Sequence, residues 1–298
     1  MKLQTILDIK PSEWKIGYED KILMLGSCFS DEIGEQMRQR NLNVTCNPFG
    51  TLYNPLSIAQ AINTKISRCE NEKIPLIFHD GLWHSMAHHG AFSRADKTEA
   101  ECAVRSSVET MQNNLLEATV VIVTFGTAWV YEMNGEIVGN CHKIPESHFT
   151  RRRLSVDEIV QTWQPILNKY TDKHWIFTVS PIRHIKDGLH ENQLSKATLL
   201  MAIEQLSLPF MGKELCSIGR PKDDRRTLTE VCYFPSYEIV LDELRDYRFY
   251  ADDLVHPSSM AVNYIWERFV DTYCTPQTKN ELILRHKHWK QEHHVPLH

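Results

Sequence analysis

No stretch of this chain approaches the roughly 18 consecutive apolar residues that a membrane-spanning helix requires. The opening residues, MKLQTILDIKPSEWK, lack a sustained apolar core and a small-residue cleavage site. That predicts no signal peptide and a cytoplasmic location. Positive charge is not in excess: Lys and Arg number 33 against 38 Asp and Glu, a net charge of −5. No basic stripe with interleaved aromatics is present, so no nucleic-acid partner is expected. There is no CxxC pair and no HExxH. Eight scattered cysteines therefore predict reduced thiols rather than a disulfide framework. No metal site is predicted, although His84 and His88 lie four apart and Cys141 adjoins His142, which leaves one zinc set to test. Repeats and low-complexity linkers are also missing. The chain reads as one domain over residues 1–298, with a core at about 20–275 and a polar, peripheral segment at 277–298, whose His-rich end HKHWKQEHHVPLH (286–298) would be a mobile tail.

What is present is an ordinary globular balance, 42% hydrophobic and 24% charged. Apolar runs of strand length alternate with helical periodicity. Strands are predicted at 22–25, 43–46, 120–124, 175–179 and 231–234. Helices are predicted at 30–40, from Pro55, at 97–117, 154–170, 190–206, 237–244 and 257–273. Ser155 and Glu158 form a capping box. Residues 76–94, with His79, His84, His88 and His89, read as a hairpin-like insertion, and Asn134-Gly135 as a tight hairpin turn. The alternation argues for an α/β fold of three layers, α/β/α, around a parallel sheet.

The most informative stretch is KILMLGSCFSDEIG, residues 21–34. A short apolar strand meets Gly26, then Ser27 and Cys28, then a polar helix start. Such a turn places Ser27 at the carboxyl end of a strand, where open α/β sheets bind ligands. The helix N-terminus behind it supplies N–H groups and partial positive charge for a developing oxyanion. A plain tight turn would look similar. Cys28 is a second possible nucleophile, but a residue directly after the exposed one is expected to point inward and pack. Near the other end of the chain stands Asp253-Leu254-Val255-His256. His256 could take the serine proton and Asp253 could orient the imidazole, with Asp252 as the alternative orienter. A helix cap beside a solvated histidine would use the same residues.

Gly26-Ser27-Cys28-Phe29-Ser30 resembles the motif that names the GSCFA family. NPFGTLYNP from Asn47, TFGTAWVY from Thr124, NCHKIP from Asn140, SPIRH from Ser180 and YADDLVHPS from Tyr250 resemble it as well. The family is similar to the SGNH (GDSL-type) hydrolases. The resemblance implies a flavodoxin-like, doubly wound sheet and a Ser27-His256-Asp253 triad. It implies an oxyanion hole from the backbone N–H groups of Ser27 and Gly50, with a third donor after a central strand. There the chain departs from the pattern: the stretch is Gly126-Thr127-Ala128, and Ala128 stands where an Asn would be. Thr127, Asn47 or Asn54 could substitute, and Gly126 could simply be a turn glycine. An oxyanion donor lost without replacement costs about 10²–10³ in rate.

His142 and Lys143, in one motif-like loop, and Arg183 and His184, at a predicted strand end, are further pocket candidates, together with His88 and His89. They could equally tie loops together. The expected activity is that of a serine esterase on an O-acylated carbohydrate or similar small ester, with no cofactor. An O-acyltransferase, a non-catalytic binding protein and metal-assisted hydrolysis through His84, His88 and His142 are the alternatives. Trp83, Trp129 and Tyr131 suit sugar stacking or the core. Acyl group, acceptor and oligomeric state stay open.

Overall fold

Runs such as ILML, VVIVTF and HWIFTV have no polar face, so they are stable only where helices cover a sheet on both sides. The computed structural model describes residues 5–66, 74–207 and 231–293 and shows that arrangement. In chain order, β1 (Lys21–Gly26) leads into α1 (Cys28–Arg38), β2 (Asn43–Cys46) and α2 (Pro55–Asn63). A hairpin of β3 (Ile77–His79) and β4 (Leu82–His84) precedes α3 (Lys97–Glu117) and β5 (Val120–Phe125). A small antiparallel sheet follows, from β6 (Trp129–Met133), β7 (Glu136–Val138) and β8 (Thr150–Arg153). Then come α4 (Val156–Lys169), β9 (His174–Val179), α5 (Leu189–Ser207), β10 (Val231–Tyr233) and α6 (Ser236–Glu238). Helices α7 (Ser259–Tyr273) and α8 (Pro276–Glu292) close the described chain.

The central sheet runs β10-β9-β5-β1-β2, with every pairing parallel. Counting only these five strands in sequence order gives 2-1-3-4-5, the order of flavodoxin-like sheets. The chain leaves β1 for the edge strand β2, then crosses back to β5 on the other side of β1. The connections after β1 and β5 thus diverge, and a crevice opens between their carboxyl ends. Alternation sorts the side chains. Leu23 and Leu25 of β1 join a core with Ile58, Val108, Trp163 and Leu199, from α2 to α5. Ile22 and Met24 join a second core with Ile33 and Met37 of α1 and Ile265 and Phe269 of α7. Each such buried side chain contributes about 1.5–3 kcal/mol of hydrophobic stabilisation.

Gly26 fixes the junction between β1 and β5. Its φ is +132°, and a Cβ there would lie 2.1 Å from the Thr124 carbonyl oxygen. Backbone meets backbone at that point, so no side chain fits.

The capping box at Ser155 and Glu158 forms, and Asn54 caps α2 by accepting from the Ser57 N–H. Helix α1 starts at Cys28, not at residue 30, because Ser27 is already extended (φ −69°, ψ 170°) and takes the N-cap position. Strand β8 was not foreseen: Thr-Arg-Arg-Arg reads as a charge run, yet it pairs along β6. The peripheral segment is helix α8 as far as Glu292, so residues 286–292 of the expected tail are helical. Leu282 is buried, the Arg285 guanidinium lies 3.9 Å from the Tyr18 ring centre, and Arg40 meets His286 at 2.8 Å. Cation–π and polar contacts hold it, so a hydrophobic pattern could not reveal it. Residues 294–298 of that prediction lie outside the described residues. Among the described residues six cysteines are free, and no helix is long and apolar enough to cross a membrane.

Candidate functional site

Strands β1, β5 and β9 end side by side, with Gly26 opposite Thr124 and Phe125 opposite Val179. Ser27, Gly126-Thr127 and Ser180 to His184 continue from those ends. A cleft of about 630 Å³ opens there, lined by Cys28, Tyr53, Trp129, Arg151, His184 and His256 among others. That volume suits a small organic ligand.

Asp253 and His256 meet at the lip of this cleft. Asp253 Oδ2 lies 2.6 Å from His256 Nδ1, and Oδ1 accepts the backbone N–H groups of Val255 and His256 at 2.9 and 3.0 Å. The His256 N–H, then the imidazole, then the Val255 N–H hold the Asp253 carboxyl down at about 2. Asp253, not Asp252, therefore orients the ring. It is not a helix cap, because Ser258 caps α7. Arg183 pins this loop: its N–H donates to Val255 O at 3.1 Å and its Nη1 to Leu254 O at 3.2 Å. With Nδ1 turned to a carboxylate, Nε2 of a neutral His256 is the proton acceptor.

Ser27 sits at the crevice but is 1% exposed. Its Oγ has no hydrogen-bond partner among the described residues, so no hydrogen bond joins it to His256. Gly126 packs against it; a Cβ built on Gly126 would lie 3.3 Å from Ser27 Cβ. Cys28 packs against the second core as expected and also borders the cleft; burial pushes its thiol pKa up and disfavours the thiolate.

The expected oxyanion donors are engaged elsewhere. The Ser27 N–H donates to Thr124 O at 3.2 Å, and the Gly50 N–H to Asn47 O at 2.7 Å. Gly50 (φ +74°) packs on His89 rather than on the cleft. Thr127 Oγ1 bonds Ser195 Oγ and accepts the Trp129 N–H. Asn54 is held by Ser57, and Asn47 spans the Gly26 N–H and Asp31. Ala128 is fully buried. The first N–H groups of α1 have no carbonyl within their own helix to receive them. Cys28, the first residue of α1, borders the cleft.

The histidines divide into two groups. His184 lines the cleft; burial, then the Lys196 charge, pushes its pKa down to about 4. His142 is not among the cleft's lining residues; its Nε2–H donates to Ser85 O (2.9 Å) and its ring packs on His84 at 4.5 Å. Lys143 is exposed outside the cleft lining. His88 bonds Ser85 and Ser107 through its two ring nitrogens, and His84 bonds Ser93 and His79 O. Among the described residues no group of three or more His, Cys, Asp or Glu could hold a metal. Trp83 is not among the cleft's lining residues; Trp129 and Tyr131 are, with the Arg151 guanidinium 4.0 and 5.6 Å from their ring centres.

Burial, then His142, lowers the His88 pKa to about 4 from an ordinary 6.5. Between those values the unfolded chain binds a proton that the folded chain refuses, so stability falls as pH drops through the window. At pH 5 the loss relative to pH 7 is expected to be roughly 2 kcal/mol from this residue. Urea melts at pH 7 and 5 on wild type and His88→Gln would check it; an equal acid loss in both proteins removes His88 as the cause.

Sequence reading missed Lys196. It is fully buried, and its Nζ donates to Gly126 O and Ser180 O, both at 2.7 Å. It thus ties the ends of β5 and β9 together beneath the cleft. Asn192 and Ser195 on the same stretch of α5 hold the His184 N–H and the Ala128 N–H. Buried Asn192, Ser195, Lys196, Leu199, Ala202, Ile203 and Leu206 follow helical spacing. The signal was a polar end to an apolar stripe.

A family model described as the GSCFA family matches residues 21–269, from the first residue of β1 into α7. No curated protein and no solved structure matches the chain.

Proposed function

We propose that this chain, which belongs to the GSCFA family, is a serine esterase with an SGNH-like active site. The observation that carries the reading is the Asp253–His256 pair at the lip of the cleft that opens over the β1 end, where Ser27 sits. Ser27 Oγ attacks the ester carbonyl and passes its proton to His256 Nε2. The tetrahedral intermediate collapses, and His256 gives that proton to the departing alcohol. Water, deprotonated by His256, then cleaves the acyl-Ser27 ester and releases the acid. Asp253 keeps the ring in the required tautomer. The Cys28 N–H at the head of α1 faces the oxyanion. Attack needs Ser27 Oγ to turn out from beneath Gly126. The substrate class is a small ester, an O-acylated carbohydrate first, with no cofactor and no nucleic-acid partner. The proposal includes a cytoplasmic location, in keeping with the free cysteines. An acyl acceptor other than water would make the same site a transferase.

The occupied N–H groups of Ser27 and Gly50 favour a second reading, a binding protein that holds esters without turning them over. Labelling with a fluorophosphonate, read by intact mass and peptide mapping, separates the two. One adduct on Ser27, lost in Ser27→Ala and in His256→Ala, supports the esterase. No adduct with either a bulky or a small probe supports the binding protein. An adduct elsewhere refutes the assigned nucleophile.

A further inference from the structure

Three cationic side chains, Arg151, Arg183 and Lys186, line the cleft, against one carboxylate, Asp187. That balance is opposite to the chain's net charge of −5. Arg151 comes from β8 and Asp187 from the single turn after β9, and the two meet across the cleft as an ion pair. The contact uses Nη2 of Arg151 and Oδ1 of Asp187. Arg151 Nε, the other arm of the same side-on fork, is buried without a hydrogen-bond partner among the described residues. So is the Nε1–H of Trp129, the ring on which this guanidinium rests.

A guanidinium binds a carboxylate best with two parallel N–H···O bonds. Asp187 supplies only one. A free carboxylate, not tethered to the loop, can fill both arms. Asp187 ends a three-residue 3-10 turn closed by Gly188 (φ +85°), a short loop segment rather than a sheet or long helix. We infer that the ligand of this cleft carries a carboxylate, and that this group displaces Asp187 from Arg151. The inference rests on the carbohydrate-ester reading for the rest of the ligand and makes that ligand an acidic sugar derivative.

The test is binding, not turnover. D-glucuronate and D-glucose differ in one carboxylate and would be titrated by ligand-observed NMR into wild type, Arg151→Gln and Asp187→Asn. Wild type is expected to prefer the acid by about tenfold or more, the scale of one charge-assisted bond. Arg151→Gln should erase the preference. Asp187→Asn should strengthen acid binding, a gain that misfolding cannot produce. Equal binding of the two sugars, binding of neither, a preference that survives Arg151→Gln, or weaker acid binding by Asp187→Asn overturns the inference. Inorganic phosphate binding more tightly than the acid overturns the carboxylate assignment. Failure here with the Ser27 adduct intact leaves the esterase reading standing; a charge preference without that adduct removes the esterase and keeps the site.

Discussion

Ser27→Ala is expected to lower kcat/KM for an activated acetyl ester by at least about 10³, to the level left by binding alone. Alanine removes one oxygen from a side chain that is 1% exposed and makes no hydrogen bond through Oγ among the described residues. No folded-state bond is broken, so the melting temperature should hold or rise. That separation makes the test sharp: an activity loss cannot be attributed to unfolding. His256→Ala should cost as much, since residues that act as one unit do not add, and the double variant should match the singles. Cys28→Ala is the companion. Cys28 borders the cleft, but burial works against the thiolate, so most of the rate should remain. If Cys28→Ala abolishes turnover and Ser27→Ala does not, the nucleophile is the thiol.

Lys196→Met should destabilise the fold by about 2–4 kcal/mol at pH 7, because two buried carbonyls, Gly126 O and Ser180 O, lose their donor. Methionine retains most of the packed methylenes, which isolates the hydrogen bonds from the cavity that alanine would leave. The pH dependence has a definite sign. Burial pushes the Lys196 ammonium from an ordinary 10.5 down to about 7, with Cys28 opposing the shift. Between those values the unfolded chain holds a proton that the folded chain does not. Wild-type stability from this group therefore grows as pH rises from about 7 towards 10.5 and is lost as pH falls back through 7. The gap between wild type and Lys196→Met should widen from pH 7 to pH 9 in guanidinium melts. A constant or narrowing gap would refute a buried titrating lysine. His184 is the neighbour that feels Lys196 directly, so its environment should report the same substitution.

Much of the fold was legible because burial leaves a plain mark. Residues 120–124, 43–46 and 97–117 needed only an unbroken β-branched run, a short alternation and a helical stripe. Elements held by charge were not legible. Strand β8 is three arginines after a threonine, stable because Arg152 reaches Glu132 and Glu158 and Arg151 lies on Trp129. Helix α8 depends on Arg285 over Tyr18, a contact with a residue more than 260 positions away. At the site, spacing left both Asp252 and Asp253 within reach of His256, and only the family resemblance pointed to Asp253, the residue that holds the ring. The direction in which Ser27 points was not readable, because an N-cap's side-chain orientation depends on φ and ψ. Nor was the use of the Gly50 N–H, which a turn hydrogen bond of the loop itself consumes.

Every pairing in the central sheet is parallel, and that has a kinetic consequence. Ile22 of β1 lies beside Val120 of β5, and Val231 of β10 beside Trp175 of β9. Parallel partners cannot meet through a hairpin, so each contact closes a long loop before it returns any stabilisation. The chain emerging from a ribosome can pair β1 with β2 early but holds the other edge of β1 open until β5 has been made, and that apolar edge invites association in the interval. The cleft comes later still: Cys28 waits for His256, more than two hundred residues downstream. Ligand binding should thus be the last property to return on refolding, after the sheet's circular-dichroism signal is complete.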